Sequence, residues 1–468
     1  MPGVRPAYSF VVDEGARFAY QAWHLAHSLV RFCRAEPRDI HIQCTQNADA
    51  LARSEFERAG FSTHSLNRFG DGKYCNKIGQ IENIVSAHHN DIFVLLDTDT
   101  IAVSDLSRWL SRDSVVAKTV DSANPPIADL DRIATAAGLK ITDVQCRTDS
   151  DDGNTYAGNC NGGMYSIPAS CAHVISKEWR HWALWLLENI EPLRRTGREA
   201  HVDQVSFWLA LLSSGTPFSR AKSNANYFIH MDAPHLYFDP THAISLLHYH
   251  NQALDVVGLI EPRVPICPAA QEAVRVANGQ IGKHFHNTLF WNYRYQHFPE
   301  RGSGIGSRGD NCDYKRALLR AHGIEAAQSV LDVGCGDAEV VRALSLNQYL
   351  GLDLSSVALE RARQVMPSGT FQLGMDKETT AADFVLCLEV LIHQPNLLEY
   401  QTLIDFSVQR TIRTLVVSGY SAPSEAITSN SMVHFHEPLK ESLVRTGRFS
   451  SVRQVGAHTD VAIYRCDV

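Results

Sequence analysis

Ser329-Val330-Leu331-Asp332-Val333-Gly334-Cys335-Gly336-Asp337-Ala338-Glu339-Val340-Val341 decides the fold of the second half of the chain. Its apolar start reads as a short buried strand and its glycines as a tight turn. A helix follows, and its first turn leaves backbone N–H groups unpaired. Gly334 and Gly336 carry no side chain, so a ligand can approach the main chain there. A plain tight connection would use the same turn. The next apolar run, Tyr349-Leu350-Gly351-Leu352-Asp353, ends in an acid at about the spacing that holds a nucleoside ribose in doubly wound folds.

The VLDVGCG run resembles the first motif of class I S-adenosylmethionine-dependent methyltransferases. The resemblance implies a Rossmann-like seven-stranded sheet, with the cofactor against Asp332, Gly334, Gly336, Asp353 and Leu354. Upstream, Phe290-Trp291-Asn292-Tyr293-Arg294-Tyr295 and Gly302-Ser303-Gly304-Ile305-Gly306-Ser307-Arg308-Gly309 are similar to the FWxxRY and SGxGSxG lead-in of a subset of bacterial methyltransferases. That places Arg294 and Gly304 at the cofactor, with Arg294 or Arg308 reaching its carboxylate; a flexible linker is the alternative. Phe371-Gln372-Leu373-Gly374-Met375-Asp376 matches the third strand and its end, implying Met375 on the adenine ring and Asp376 on its amino group. A fourth strand, Asp383-Phe384-Val385-Leu386-Cys387-Leu388-Glu389-Val390, leads to Leu391-Ile392-His393 and resembles the EVxxH segment beside the methyl group. Glu389 then joins the cofactor contacts, and His393 either deprotonates an acceptor hydroxyl or shapes the pocket. Strands at 414–418 and 461–464 would complete the sheet. His434-Phe435-His436-Glu437-Pro438 reads as a polar loop, lining the substrate site or simply exposed.

At 468 residues the chain exceeds one core and implies at least two domains. We expect them at 1–260 and 282–468, around a linker at 261–281 that opens with Pro262, Pro265 and Pro268. The apolar share of 44% and charged share of 20% are those of an ordinary globular protein. A net charge of −8 without basic tracts argues against nucleic acid as a partner. The eleven cysteines show no CxxC pairs or zinc spacing, which fits reduced thiols and a cytoplasmic setting. Met1-Pro2-Gly3-Val4-Arg5 lacks the pattern of a signal peptide. No apolar run reaches membrane-spanning length, so work on lipid-linked material would be by peripheral membrane association.

In the first half, Tyr8-Ser9-Phe10-Val11-Val12 reads as an opening buried strand. Phe18, Ala19, Ala22, Trp23, Ala26, Leu29 and Val30 then recur at helical spacing. A strand at 40–44, a helix over 48–59 and the strand Ile92-Phe93-Val94-Leu95-Leu96 continue an α/β alternation. The last strand runs into Asp97-Thr98-Asp99-Thr100. Two carboxylates at a strand's carboxyl end are close enough to share a divalent cation, directly or through water. A solvated turn with capping aspartates is the alternative.

An apolar strand ending in DTD resembles the nucleotide-sugar-dependent glycosyltransferases of the GT-A fold. Cys75-Asn76-Lys77-Ile78 would bring Lys77 to the donor diphosphate, unless it is a surface lysine. Asn159-Cys160-Asn161-Gly162-Gly163-Met164-Tyr165-Ser166-Ile167-Pro168 resembles the FNAG…IP stretch of the sugar pocket in glycogenin-like transferases. His201-Val202-Asp203-Gln204 opens an amphipathic helix at the place where related enzymes set a DQ against the acceptor or donor sugar; capping by Asp203 is the alternative. The implied sugar-binding set is Val12, Lys77, Asp97, Asn161, Gly162, Gly163, Asp203 and Gln204. Asp203 would be the general base if the reaction inverts. The implied metal set is Asp97 and Asp99 with His248 or His250, around Mn2+ or Mg2+.

Together these readings give a bifunctional enzyme of surface polysaccharide biosynthesis. It would transfer a sugar from a nucleotide-sugar donor to a glycan or lipid-linked glycan and O-methylate a glycan hydroxyl with S-adenosylmethionine. The alternative is a methyltransferase with a catalytically silent sugar-binding domain.

Overall fold

The structure, a computed structural model, describes residues 5–85, 90–232, 235–250, 253–421 and 432–468. Met1, Pro2, Gly3 and Val4, read as leader-free, lie outside them. The chain forms two compact units, Met1–Asp255 with Leu259–His284, and Val256–Gly258 with Phe285–Val468. Among the described residues no helix is long and apolar enough to cross a membrane.

In the first unit seven strands run in the order Phe218–Arg220, Val115–Thr119, Cys160–Pro168, Ile92–Leu96, Pro6–Val12, Ile40–Thr45, Ser62–Leu66. Ile92–Leu96 is buried on both faces, which is why it reads as an unbroken apolar run rather than an alternation. Its neighbour Pro6–Val12 is parallel to it, whereas Cys160–Pro168 is antiparallel to both Ile92–Leu96 and Val115–Thr119. The strand order reverses at Pro6–Val12, and the crevice beyond the carboxyl ends there is where α/β sheets take ligands. A second, three-stranded sheet is added at this end: Thr100–Ala102 pairs antiparallel with Leu246–His248, and His248 stands opposite Thr100.

Beneath the sheet, helices Ala169–Glu188 and Val202–Ser214 pack through Tyr165, Trp179 and Phe207, with ring centroids 4.1 to 5.4 Å apart. Trp179 also donates its indole N–H to the carbonyl of Asp203, at 2.8 Å, and so seats the start of the second helix.

Within the segment expected as a linker, 261–281, the short helix expected from Ala269 to about Asn278 runs over Pro268–Lys283. Pro268–Lys283 belongs to the first unit, where Trp23 donates to the His284 carbonyl and His27 stacks on the His284 ring. Pro268 starts this helix rather than interrupting it, because a first-turn residue has no intrahelical N–H bond to lose.

The second unit orders its seven strands Thr370–Leu373, Gln348–Asp353, Ser329–Val333, Ala382–Cys387, Thr411–Tyr420, Val461–Asp467, Ser451–His458. All pairings are parallel except those of Val461–Asp467 with its two neighbours. Here Ser329–Val333 occupies the switch point.

Truncating Trp179 removes both the aromatic contact and the indole hydrogen bond. Trp179→Ala is expected to destabilise the first unit by about 3–5 kcal/mol, read as a lower denaturant midpoint. An unchanged midpoint would show that this cluster does not hold the Asp203 helix.

Candidate active sites

The site in the first unit forms where Ile92–Leu96 ends. The chain turns at once: the Thr100 hydroxyl donates to the Asp97 carbonyl, and the Asp97 N–H donates to the Gly163 carbonyl. This turn sends the two carboxylates apart. Asp97 meets Lys77 Nζ at 2.8 Å, whereas Asp99 faces two histidines.

Lys77, carried on the short helix Tyr74–Gly79, lies between Asp97 and Asp203, whose Oδ2 is 3.1 Å away. Burial opposes the lysine charge, but the two carboxylates outweigh it and raise the pKa. One ammonium shared by two acids leaves Asp203 under-compensated, and burial raises its pKa despite the pull of Lys77. Asp203, considered from the sequence as a general base, is 1% exposed and pairs with Lys77. Gly162 has a steric reason to be glycine, since a Cβ there would lie 2.4 Å from Lys77 Nζ. Val12 is buried at the end of its strand, and Gln204 is half-buried beside Asp203.

Asp99, His248 and His250 form a cluster whose ligating atoms all lie within 4.8 Å of one another. His248 Nε2 is 3.4 Å from Asp99 Oδ1, and His250 Nδ1 is 3.9 Å from Oδ2. Both histidines offered as alternatives by the sequence thus face Asp99. Burial raises the Asp99 pKa less than the two imidazoles lower it. Behind His248 stands Asn226, which the sequence reading missed. It lies outside any motif, and only the fold brings it near. Asn161 bonds to Asn226 and to the Gly163 N–H. Asp13, also missed, accepts from Thr45, Arg68 and Asn76 at the switch point; an acid directly after the first strand was its signal.

In the second unit the glycine turn lines a pocket with Asp332, Asp353, Leu354, Met375, Glu389 and His393. Gly334 and Gly336 have φ of 76° and 56°, in the left-handed region. A Cβ on them would come within 2.3 Å of Val390 and 2.4 Å of the Tyr295 hydroxyl. Asp353 accepts from the N–H groups of Gly336 and Ser355, so the acid braces the turn it faces. Burial lifts Asp353 to about 6 and Asp332 to about 7, the latter against the hydrogen bond from Tyr349.

A second pocket adjoins the first, and Trp291, Ser303, Glu389 and His393 line both. Arg294 and Gly304, expected on the cofactor, line this second pocket and not the first. Arg294 donates to the Gly302 and Val256 carbonyls, and Arg308 pairs with Asp337. Asp376 is the residue expected at the adenine amino group. It is exposed, accepts from the Glu378 N–H and lies outside the pocket lining, because the chain turns at Gly374 before reaching it. His434 and His436 line neither pocket, and His436 bonds instead to the Gln394 carbonyl.

His393 Nδ1 lies 2.8 Å from the Met432 carbonyl. A carbonyl only accepts, so Nδ1 carries the proton and Nε2 keeps a lone pair. Burial lowers His393 to about 4, leaving the ring neutral at pH 7. Glu389, with φ of 62°, is paired to Lys315 at 2.6 Å and to His458. These partners overcome its burial and hold it at about 2. Neither Lys315 nor His458 falls in a recognisable motif.

Residues 9–215 match the family model of the Rhodobacterales glycosyltransferase domain, and residues 307–413 match a methyltransferase domain model. The chain joins a glycosyltransferase domain to a methyltransferase domain. Both are of transferase type, and the expected fold class, a GT-A-like mixed sheet followed by a seven-stranded class I methyltransferase sheet, holds. No curated protein matches the chain. Similar solved structures include magnesium protoporphyrin IX methyltransferase from Synechocystis PCC 6803 with bound SAH, at 20% identity over 33% of this chain and 81% of that one, TM-score 0.28. N-methyltransferase NodS from Bradyrhizobium japonicum WM9 is 17% identical over 33% of this chain and 94% of that one, TM-score 0.28.

The buried acids of the methyltransferase domain give its stability a pH dependence. Asp332 and Asp353 hold their protons more tightly folded than unfolded, so this contribution is complete below pH about 4 and is lost as pH rises towards about 7. Over that interval each acid can contribute a downward slope of up to about 1.4 kcal/mol per pH unit. Asp332→Asn, with no proton to lose, is expected to flatten the decline in denaturation measured from pH 4 to 7. An identical decline in the variant would assign the effect elsewhere.

Proposed function

We propose that the glycosyltransferase domain transfers a sugar from a nucleotide-sugar donor with a divalent cation, and that the methyltransferase domain O-methylates a glycan hydroxyl with S-adenosylmethionine. The observation that carries the first half is the Asp99, His248 and His250 cluster beside Lys77 at the carboxyl end of the central strand. A silent binding domain has no use for three converging ligand atoms and a buried lysine held between carboxylates.

Asp99, His248 and His250 fit a cation, which when bound offsets the charge that builds on the leaving diphosphate. Lys77, kept protonated by Asp97 and Asp203, adds a second positive charge on the side of Gly162. Asn161 and Gly163 act behind the cluster, Val12 and Gln204 are the further residues proposed for the sugar donor or acceptor, and Asp97 holds Lys77.

In the other domain the glycine turn and Asp353 offer a nucleoside its N–H groups and carboxylate, and S-adenosylmethionine supplies an electrophilic methyl group there. The adjoining pocket presents Phe290, Trp291 and Tyr420 with polar groups between them, a lining suited to a sugar ring. His393 Nε2 takes the hydroxyl proton as the new O–CH3 bond forms and the S–CH3 bond breaks. A shared glycan explains why one chain carries both domains. Assembly of a surface polysaccharide on the cytoplasmic side of a membrane, by peripheral association, is the setting this suggests.

The full chain is to be assayed for nucleotide-sugar cleavage with added divalent cation and for methyl transfer to oligosaccharides. Asp99→Ala should lower the first by at least about 100-fold and spare the second. His393→Ala should lower methyl transfer by about 100-fold or more while S-adenosylmethionine still binds. Undiminished cleavage in Asp99→Ala would refute the metal-dependent transfer, and undiminished methylation in His393→Ala would refute the proton acceptor.

A further inference from the structure

Around Phe228, whose ring stands 5.3 Å from that of His248, the glycosyltransferase domain buries a second set of charged groups. Asp149 and Lys118 are both fully buried and meet at 2.6 Å, with the ammonium 3.2 Å from the centroid of the Phe228 ring. Asp149 also meets His235 Nδ1 at 2.7 Å and accepts from the Ser223 hydroxyl at 2.8 Å and the Tyr237 N–H at 3.1 Å. An apolar core would hold these segments together at less cost. What the polar hub adds is fixed direction: it ties Ser223, His235 and Tyr237, which flank His230 in the chain, to the strand Val115–Thr119 that carries Lys118.

This tie sets His230 against the end of that strand. The main chain there is stitched by the Asp149 N–H to the Val120 carbonyl and by the Ser150 N–H to the Asp121 carbonyl. Asp121 Oδ2 then meets His230 Nε2 at 3.1 Å. A carboxylate only accepts, so Nε2 carries the proton, and the tautomer so selected has its lone pair on Nδ1. The His230 ring stands edge-on to that of His250, centroids 4.0 Å apart, so the pair borders the cation cluster. Unlike the hub behind it, this pair is open to solvent, with the His230 side chain 36% and the Asp121 side chain 28% exposed.

Resting on the metal-dependent sugar transfer proposed above, we propose that Asp121 and His230 form the acceptor subsite of the glycosyltransferase domain. Nδ1 of His230 accepts a hydrogen bond from the acceptor hydroxyl, and Asp121 is the positioning residue that fixes the tautomer. The ligand is a neutral sugar alcohol rather than a phosphate, because the Asp121 carboxylate repels an anion. In the transfer the bond from sugar to diphosphate breaks as the bond to the acceptor oxygen forms, and the hydroxyl proton is released to solvent. A hydroxyl held in place has an advantage over bulk water, so the pair decides between glycoside formation and hydrolysis.

The test gives the full chain UDP-glucose or GDP-mannose with Mn2+, and methyl β-glucopyranoside or methyl β-galactopyranoside as probe acceptors, and measures glycoside and free sugar together. The unaltered chain should yield both. His230→Leu should shift the ratio of glycoside to free sugar by about 10-fold or more towards free sugar, raising the acceptor KM more than it lowers kcat. His230→Gln keeps an acceptor oxygen and should recover part of the ratio. Should His230→Leu not fold, Asp121→Asn, which no longer selects one tautomer, should move the ratio the same way by a smaller factor. An unchanged ratio in folded variants, equal losses of both products, or free sugar without any glycoside from the unaltered chain would each overturn the acceptor subsite and leave the donor reading standing. Release of sugar from neither donor would overturn both.

Discussion

The short antiparallel pairing of Thr100–Ala102 with Leu246–His248 carries the candidate chemistry of the glycosyltransferase domain. Without it Asp99 would end a strand facing solvent, and His248 and His250 would belong to a distant part of the chain. With it, backbone hydrogen bonds hold the imidazoles to the carboxylate: the Tyr249 N–H donates to the Asp99 carbonyl, and His248 stands opposite Thr100. Main-chain pairing is well suited to this task, because its register moves in whole residues and cannot drift by fractions of an ångström.

Both domains bury charge next to their sites, and both do so with unequal partners. Lys77 is one cation between two acids, and Glu389 is one acid between Lys315 and His458. Burying such groups costs more than an apolar core of the same volume, so their presence is poorly explained by stability alone. The imbalance holds Lys77 charged at the expense of Asp203, and holds Glu389 ionised at the junction of two pockets. Each site thus has a fixed charge whose sign does not vary near neutral pH.

Much of this was legible in the residues. Ile92–Leu96 and Ser329–Val333 announce themselves as apolar runs, and the acids and glycines that follow them mark strand ends. What escaped depended on geometry that spacing does not encode. Asp97 and Asp99, two residues apart, look like one ligand pair, but the Thr100 hydrogen bond turns the chain between them. Asn226 and Lys315 carry no local signal, because their roles arise from partners 65 and 74 positions away. Ser451–His458, which ends in His458, is a half-exposed edge strand with a bulge near Gly456, so its apolar alternation is too weak to read.

His393 and His248 show how one side chain is given two tasks. In its proposed role each acts through Nε2. What differs is the surroundings of the ring: His393 lines two adjoining pockets in one domain, and His248 Nε2 faces a carboxylate in the other. In both cases the choice of nitrogen is made from behind, by an acceptor set against Nδ1, the Met432 carbonyl for His393 and the Asn226 amide oxygen for His248. An imidazole without such a partner would divide its population between tautomers and present the wrong nitrogen part of the time. The acceptor behind the ring is therefore as much a part of each site as the histidine. It also explains why Asn161 and Gly163, which resemble a sugar-contact motif, lie where they orient Asn226 and leave space for His248.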